Sequence, residues 1–119
     1  MTTTKNITFY RGETWRVDFS LKTSTGTPLI IDPGTDQVTI RVARGSLRPI
    51  KATIGSGVTV TNGVAGTCAW VVADTDQDTA LILNKVYDYE CFYSSPVRGD
   101  SVQAKGKLTV LKSLKETVP

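Results

Sequence analysis

Apolar side chains recur at every second position along most of this chain, and that period restricts its fold more than any other feature. From Thr14 to Lys22, the residues Trp15, Val17, Phe19 and Leu21 fall on one side, while Arg16, Asp18, Ser20 and Lys22 fall on the other. A strand alternates its side chains between two faces, so this is the pattern of a half-buried β-strand. Val38, Ile40 and Val42 repeat it, as do Val58 and Val60, then Cys68, Trp70 and Val72. Tyr87, Tyr89, Cys91 and Tyr93 form another inward set, and Val102, Ala104, Gly106, Leu108 and Val110 the last. Ile7 and Phe9 make a shorter strand ahead of the first.

Turn residues separate these runs. Thr23 to Thr27 carries Gly26 among small polar residues, and Asp32-Pro33-Gly34 ends the short apolar stretch Pro28 to Ile31. Asn62-Gly63 opens a hairpin loop reaching Gly66, because both residues tolerate positive φ. Pro49 lacks an N–H to give a ladder, which sends Leu47 to Ile54 to a sheet edge or a connection. One helical signal stands between Asp74 and Leu83: Asp74 as N-cap, Gln77 three residues on, then Ala80, Leu81 and Leu83. About seven short strands and one short helical connection predict an all-β fold, an antiparallel two-layer sandwich. A small barrel is the rival, since alternation shows which side is apolar and not how the sheet closes. The 119 residues suit one domain over 1–111, with a tail at 112–119 where the alternation stops.

Composition narrows the chemistry. There is no histidine, which removes the commonest general base and the commonest transition-metal ligand together. No Ser-x-x-Lys run or Gly-x-Ser-x-Gly elbow places a nucleophile beside another base, so the expectation is a non-enzymatic chain with no catalytic residues and no cofactor. Cys68 and Cys91 are too few and too far apart for a metal knuckle or a CxxC pair, and read as buried thiols. No stretch approaches the roughly 20 apolar residues of a membrane span, and Met1 to Asn6 lacks a signal-peptide core. No membrane association and a cytosolic origin are therefore expected.

Three short motifs have plainer readings. Asp74, Asp76 and Asp78 alternate like the opening of a calcium loop, yet the sixth position is Thr79 and the twelfth Lys85, where Gly and Glu are needed. Acids at the start of a helix serve its positive end without metal, so no metal site is expected. Arg98-Gly99-Asp100 spells an adhesion tripeptide, but a glycine between two strands is what a turn requires. Trp15, Phe19, Trp70, Tyr87 and Tyr89 each continue an apolar face, which makes them core, not a sugar-stacking ledge.

Net charge is +3, from 14 basic and 11 acidic residues, too small a surplus to argue nucleic acid. Its placement is more informative. Arg41, Arg44, Arg48 and Lys51 crowd one segment and Lys105, Lys107, Lys112 and Lys115 another, with Asp74, Asp76, Asp78, Asp88 and Glu90 between them. The first cluster is the candidate partner-contact set. It has no interleaved aromatics, which argues against nucleic acid.

Two blocks of the chain carry a resemblance beyond the alternation itself. The first is Tyr10-Arg11-Gly12-Glu13-Thr14-Trp15 followed by Thr25-Gly26-Thr27-Pro28-Leu29-Ile30. The second runs through Asp74 to Leu83, Tyr87-Asp88-Tyr89, Ser94 to Asp100, and Gly106-Lys107-Leu108-Thr109-Val110. Together they are similar to the immunoglobulin-like N-terminal module of phage baseplate upper proteins and related tail or head accessory proteins. The resemblance implies an immunoglobulin-like sandwich, a virion location after assembly in the host cytoplasm, and several symmetric copies contacting other virion proteins. Head decoration, fibre anchoring and, from another class, a carbohydrate-binding module are the alternative roles. Arg44 to Ile54 departs from the family pattern.

Overall fold

The computed structural model of the chain describes residues 2–10, 13–45, 47–72 and 85–111, with the backbone alone at 47–49. The expected helix from Asp74 to Leu83, its three aspartates and the tail from Lys112 lie outside those residues. Among the described residues all regular structure is strand: β1 Thr3–Thr4, β2 Ile7–Tyr10, β3 Trp15–Ser20, β4 Gln37–Arg44, β5 Leu47–Ile54, β6 Gly57–Asn62, β7 Thr67–Val72, β8 Lys85–Ser95 and β9 Gly99–Leu111.

The hydrogen-bonded path runs β1-β9-β8-β4-β5-β6-β7-β3, with β2 also paired to β9. It bends back on itself at one corner. β5 and β6 touch only through Thr53 opposite Gly57 and Ile54 opposite Val58, and a tight turn closes there, the Thr53 N–H donating to the Ser56 carbonyl at 3.0 Å. The corner carries the chain from one layer to the other. The first layer is β1/β2-β9-β8-β4-β5, the second β6-β7-β3, and the path stays open at β1 and β3, as in a sandwich and not a barrel.

Alternation places the core as the sequence predicts. Trp15, Val17 and Phe19 of β3 face Val38, Ile40 and Val42 of β4 and Tyr87, Tyr89, Cys91 and Tyr93 of β8, and all are buried. Each large side chain so enclosed contributes on the order of 2 kcal/mol by leaving water. Phe9 stacks on Trp15 with ring centroids 4.7 Å apart and meets Trp70 edge-on at 6.2 Å, tying β2 of the first layer to β3 and β7 of the second. The hairpin expected at Asn62 to Gly66 joins β6 to β7, its Asn62 Oδ1 accepting from the Ala65 N–H at 3.2 Å.

Two expectations change in the structure. The residues up to Asn6, to which the sequence analysis gives no strand, are built into the chain's own first layer. Thr3 and Thr4 pair in parallel with Ala104 and Lys105, and Ile7 to Tyr10 with Leu108 to Leu111. Gly106 makes this possible: a Cβ at that position would collide with the Lys5 carbonyl. Tyr89, opposite Gly106 on β8, donates its hydroxyl to the same carbonyl at 2.6 Å.

The second change is in β9. Its alternation does not run unbroken, because the register with β8 shifts between Cys91 and Phe92, leaving Gln103 as an extra residue. Such a bulge re-aims the side chains beyond it. Gln103 therefore turns inward and is buried, its Oε1 accepting from the Lys22 N–H at 2.9 Å, while Val102 turns outward beside Phe92. Of the two places that Pro49 leaves open to Leu47–Ile54, a sheet edge or a connection, the structure takes the first, as strand β5. It stays at the margin of its layer, as Pro49 requires, and its register with β4 slips beside that proline, between Val42 and Arg44.

Candidate functional site

Conventional chemistry has little to stand on. Among the described residues no group of three or more His, Cys, Asp or Glu is placed to hold a metal ion, and no helix is long and apolar enough to cross a membrane. Both cysteines are free and buried. Burial, with the Asp18 charge adding to it, pushes the Cys68 thiol up to about 11. Burial, then Cys68 and then Glu90, drive the Cys91 thiol upward as well. Neither forms appreciable thiolate at neutral pH, so neither is a nucleophile.

The stacking ledge of a carbohydrate module is also missing where the sequence offered it: Trp15 and Trp70 are 2% and 1% exposed. Trp15 spends its indole N–H on the Tyr10 carbonyl at 2.9 Å. The Trp70 Nε1 is buried with no hydrogen-bond partner among the described residues.

Arg98-Gly99-Asp100 is a turn. Gly99 has φ +81°, a left-handed conformation that favours glycine, and pairs with Ser95 to close the β8–β9 hairpin. Arg98 is held from behind by Asp36, whose Oδ2 accepts from the guanidinium at 3.1 Å. Asp36 has a fully covered side chain and also accepts from the Tyr93 hydroxyl and from the Asp32 N–H. Burial by itself would raise the Asp36 carboxyl, but hydrogen bonds from Ser95, the Asp32 backbone, Tyr93 and Thr35 outweigh it and hold the group below its ordinary value. This cluster fastens the loop before β4 to the end of β8, and its role is structural.

What remains is the outer face of the first layer. Residues directly opposite on neighbouring strands point the same way, so the register assembles a rank across five strands: Lys51 on β5, Arg41 on β4, Glu90 on β8, Lys105 on β9 and Thr4 on β1. All five are exposed. The next rank sets Ala43 beside Asp88 and Asp88 beside Lys107, and the last two form an ion pair between exposed side chains. On the other side of the charged rank lie Thr39, Phe92 and Val102. Arg41 and Glu90 line both of two shallow depressions, of about 570 and 510 Å³, the first reaching Lys107 and the second Phe92.

Of the four cations expected to meet a partner, the structure brings Arg41 and Lys51 side by side on this face. Arg44 is exposed at the end of β4, past the slipped register. Arg48 lies in β5, and its side chain falls outside the described residues. Lys105 and Glu90 are the members that sequence reasoning did not join to them. The blocks of unlike charge seen along the sequence do not stay apart: antiparallel pairing of β8 with β9 interleaves Asp88 and Glu90 with Lys107 and Lys105. The alternation of β8 and β9 held that signal, since exposed charges two residues apart on adjacent strands must meet in ranks.

No family model and no curated protein matches the sequence. Among solved structures, the chain is similar to one reported in photo-crosslinking analyses of multimeric cell-adhesive interactions of VGSC beta subunits. The TM-score is 0.55 at 10% identity, over 92% of this chain and 93% of that one. With the layer order above, this likeness makes the chain an immunoglobulin-like β-sandwich.

Proposed function

We propose that the chain is a non-enzymatic structural module of a tailed-phage particle, an assembly part of the tail or baseplate that joins virion components. The observation that carries the reading is the rank of exposed charge on a rigid sheet, where Arg41 and Lys51 stand together without an ion pair among the described residues. A surface of this kind is suited to meeting another protein, because complementary charge steers encounter and sets register. The two sequence blocks, Tyr10 to Ile30 and Asp74 to Val110, support the phage assignment. The buried thiols and the absence of histidine support a role without catalysis.

In this reading the sandwich is a rigid block, present in several symmetric copies, that is made in the host cytoplasm and ends in the virion. Head decoration and fibre anchoring would place the same block elsewhere on the particle. The test is to purify particles of the phage that encodes the chain on a density gradient, quantify the chain by mass spectrometry and trace it in a particle reconstruction. Stoichiometric, multi-copy incorporation is expected. A chain that stays soluble and monomeric and never co-sediments with particles overturns the proposal.

A further inference from the structure

We infer that the outer face of β5–β4–β8–β9 docks an acidic protein surface, rich in Asp and Glu, and not a second copy of this chain. The inference rests on the assembly reading above and adds the chemistry of the partner. Its basis is an imbalance within one rank. Lys51, Arg41, Glu90 and Lys105 are directly opposed on four successive strands, which places them across roughly 15 Å at the usual spacing between strands. Three are cations and one is a carboxylate.

In the neighbouring rank Asp88 and Lys107 neutralise each other. Here, among the described residues, none of Arg41, Lys51 and Lys105 forms an ion pair, and the one carboxylate beside them, Glu90, stands between Arg41 and Lys105 and can offset only one of the three charges. Arg41 and Lys51 are like charges directly across a strand pair, an arrangement that lowers sheet stability. The fold gains nothing from holding them together, whereas a ligand of opposite sign does.

Charge also selects among occupants. A second copy docked face to face would set a net positive rank on a net positive rank, and such juxtaposition is costly. A nucleic-acid backbone would meet Glu90 at the middle of the rank. A protein surface can offer carboxylates to Arg41, Lys51 and Lys105 and a cation to Glu90. The flank of the rank suits a protein as well: the Gln103 bulge turns Val102 out beside Phe92, giving a small apolar patch next to charge, the pattern of a docking surface.

The test uses the full chain and a labelled polyglutamate peptide, read by fluorescence anisotropy over a salt series. Binding at low salt that weakens as salt rises is expected. The double variant Arg41→Gln/Lys51→Gln should weaken it about ten-fold, and Lys105→Gln about three-fold, as for the loss of close charge pairs. Arg16→Gln/Lys85→Gln removes the same net charge away from this face and should change affinity less than about two-fold. The inference is overturned if the wild-type chain does not bind, or if the two double variants lose affinity equally. It is also overturned if a DNA duplex binds more tightly through the same residues, or if the chain self-associates in sedimentation equilibrium and Arg41→Gln/Lys51→Gln abolishes the association. Polyglutamate binding without particle incorporation would sink the virion reading alone, and incorporation without polyglutamate binding this inference alone.

Discussion

The two layers share one core, yet their outer faces treat charge in opposite ways. On the second layer Arg16 and Asp18 project from β3 and satisfy each other at 3.0 Å, beside Thr59, Ala69 and Thr67 on the neighbouring strands. On the first layer Asp88 and Lys107 do the same, but Arg41, Lys51 and Lys105 stand around a single Glu90. Exposed charge as such is therefore no signal, because a neutralised pair is an ordinary solvated surface. An excess that neighbours leave uncancelled is what separates the two faces.

The largest expected effect comes from removing one border of the first face. Gly106→Ala puts a methyl group where the Lys5 carbonyl lies, so β1 must leave β9 and take Thr4 away from the charged rank. The predicted cost is about 3 kcal/mol by urea unfolding. Val71→Ala, on the outer side of the second layer, should cost well under half of that. Equal losses would mean that the first face does not depend on its N-terminal border.

Next comes Asp36→Asn, which should cost about 2 kcal/mol, because Arg98, Tyr93 and the Asp32 N–H lose a charged acceptor. Its pH dependence has a fixed sign. The Asp36 carboxyl is held below its ordinary 3.8, so its contribution is fully present above that pH and is lost as pH falls through the lower folded value. The stability gap between wild type and Asp36→Asn should therefore be constant from neutral pH down to about 5 and should narrow below about 4. A gap that widened in acid would contradict the assigned hydrogen bonds.

Smaller effects address the charges directly. Lys51→Glu replaces a like-charge neighbour of Arg41 with an opposite one and should stabilise the fold by about 0.5 kcal/mol, while weakening polyglutamate binding. Stability and binding moving in opposite directions is the signature of a residue retained for a partner. Smallest of all, Lys107→Ala and Arg16→Ala each break an exposed ion pair and should change stability by less than about 0.5 kcal/mol, detectable only as a small shift in urea midpoint.

Much of the fold was legible in the sequence, for a physical reason: inward positions at period two are fixed by burial, and Trp15, Val17 and Phe19 or Tyr87, Tyr89 and Tyr93 had no other face to take. The hairpin at Asn62 and the marginal place of Pro49 were readable because turn and proline chemistry are local. Val102 was misread because a bulge is one residue inserted against a partner strand, and no period within β9 can announce its partner. The course of residues 2–10 was hidden in a similar way. It depends on Gly106, about a hundred residues distant, leaving room for a carbonyl. As for the site, half of the expected set, Arg41 and Lys51, shares one face, but the rank that unites them with Glu90 and Lys105 exists only once register is known.

Chemical-shift mapping of the labelled chain during titration with polyglutamate compares the two faces in one experiment. Perturbations concentrated at Arg41, Lys51, Glu90 and Lys105 and fading toward β3 are predicted. Shifts centred on Arg16 and Asp18, or spread evenly over both layers, would contradict the assignment of partner binding to the uncancelled face.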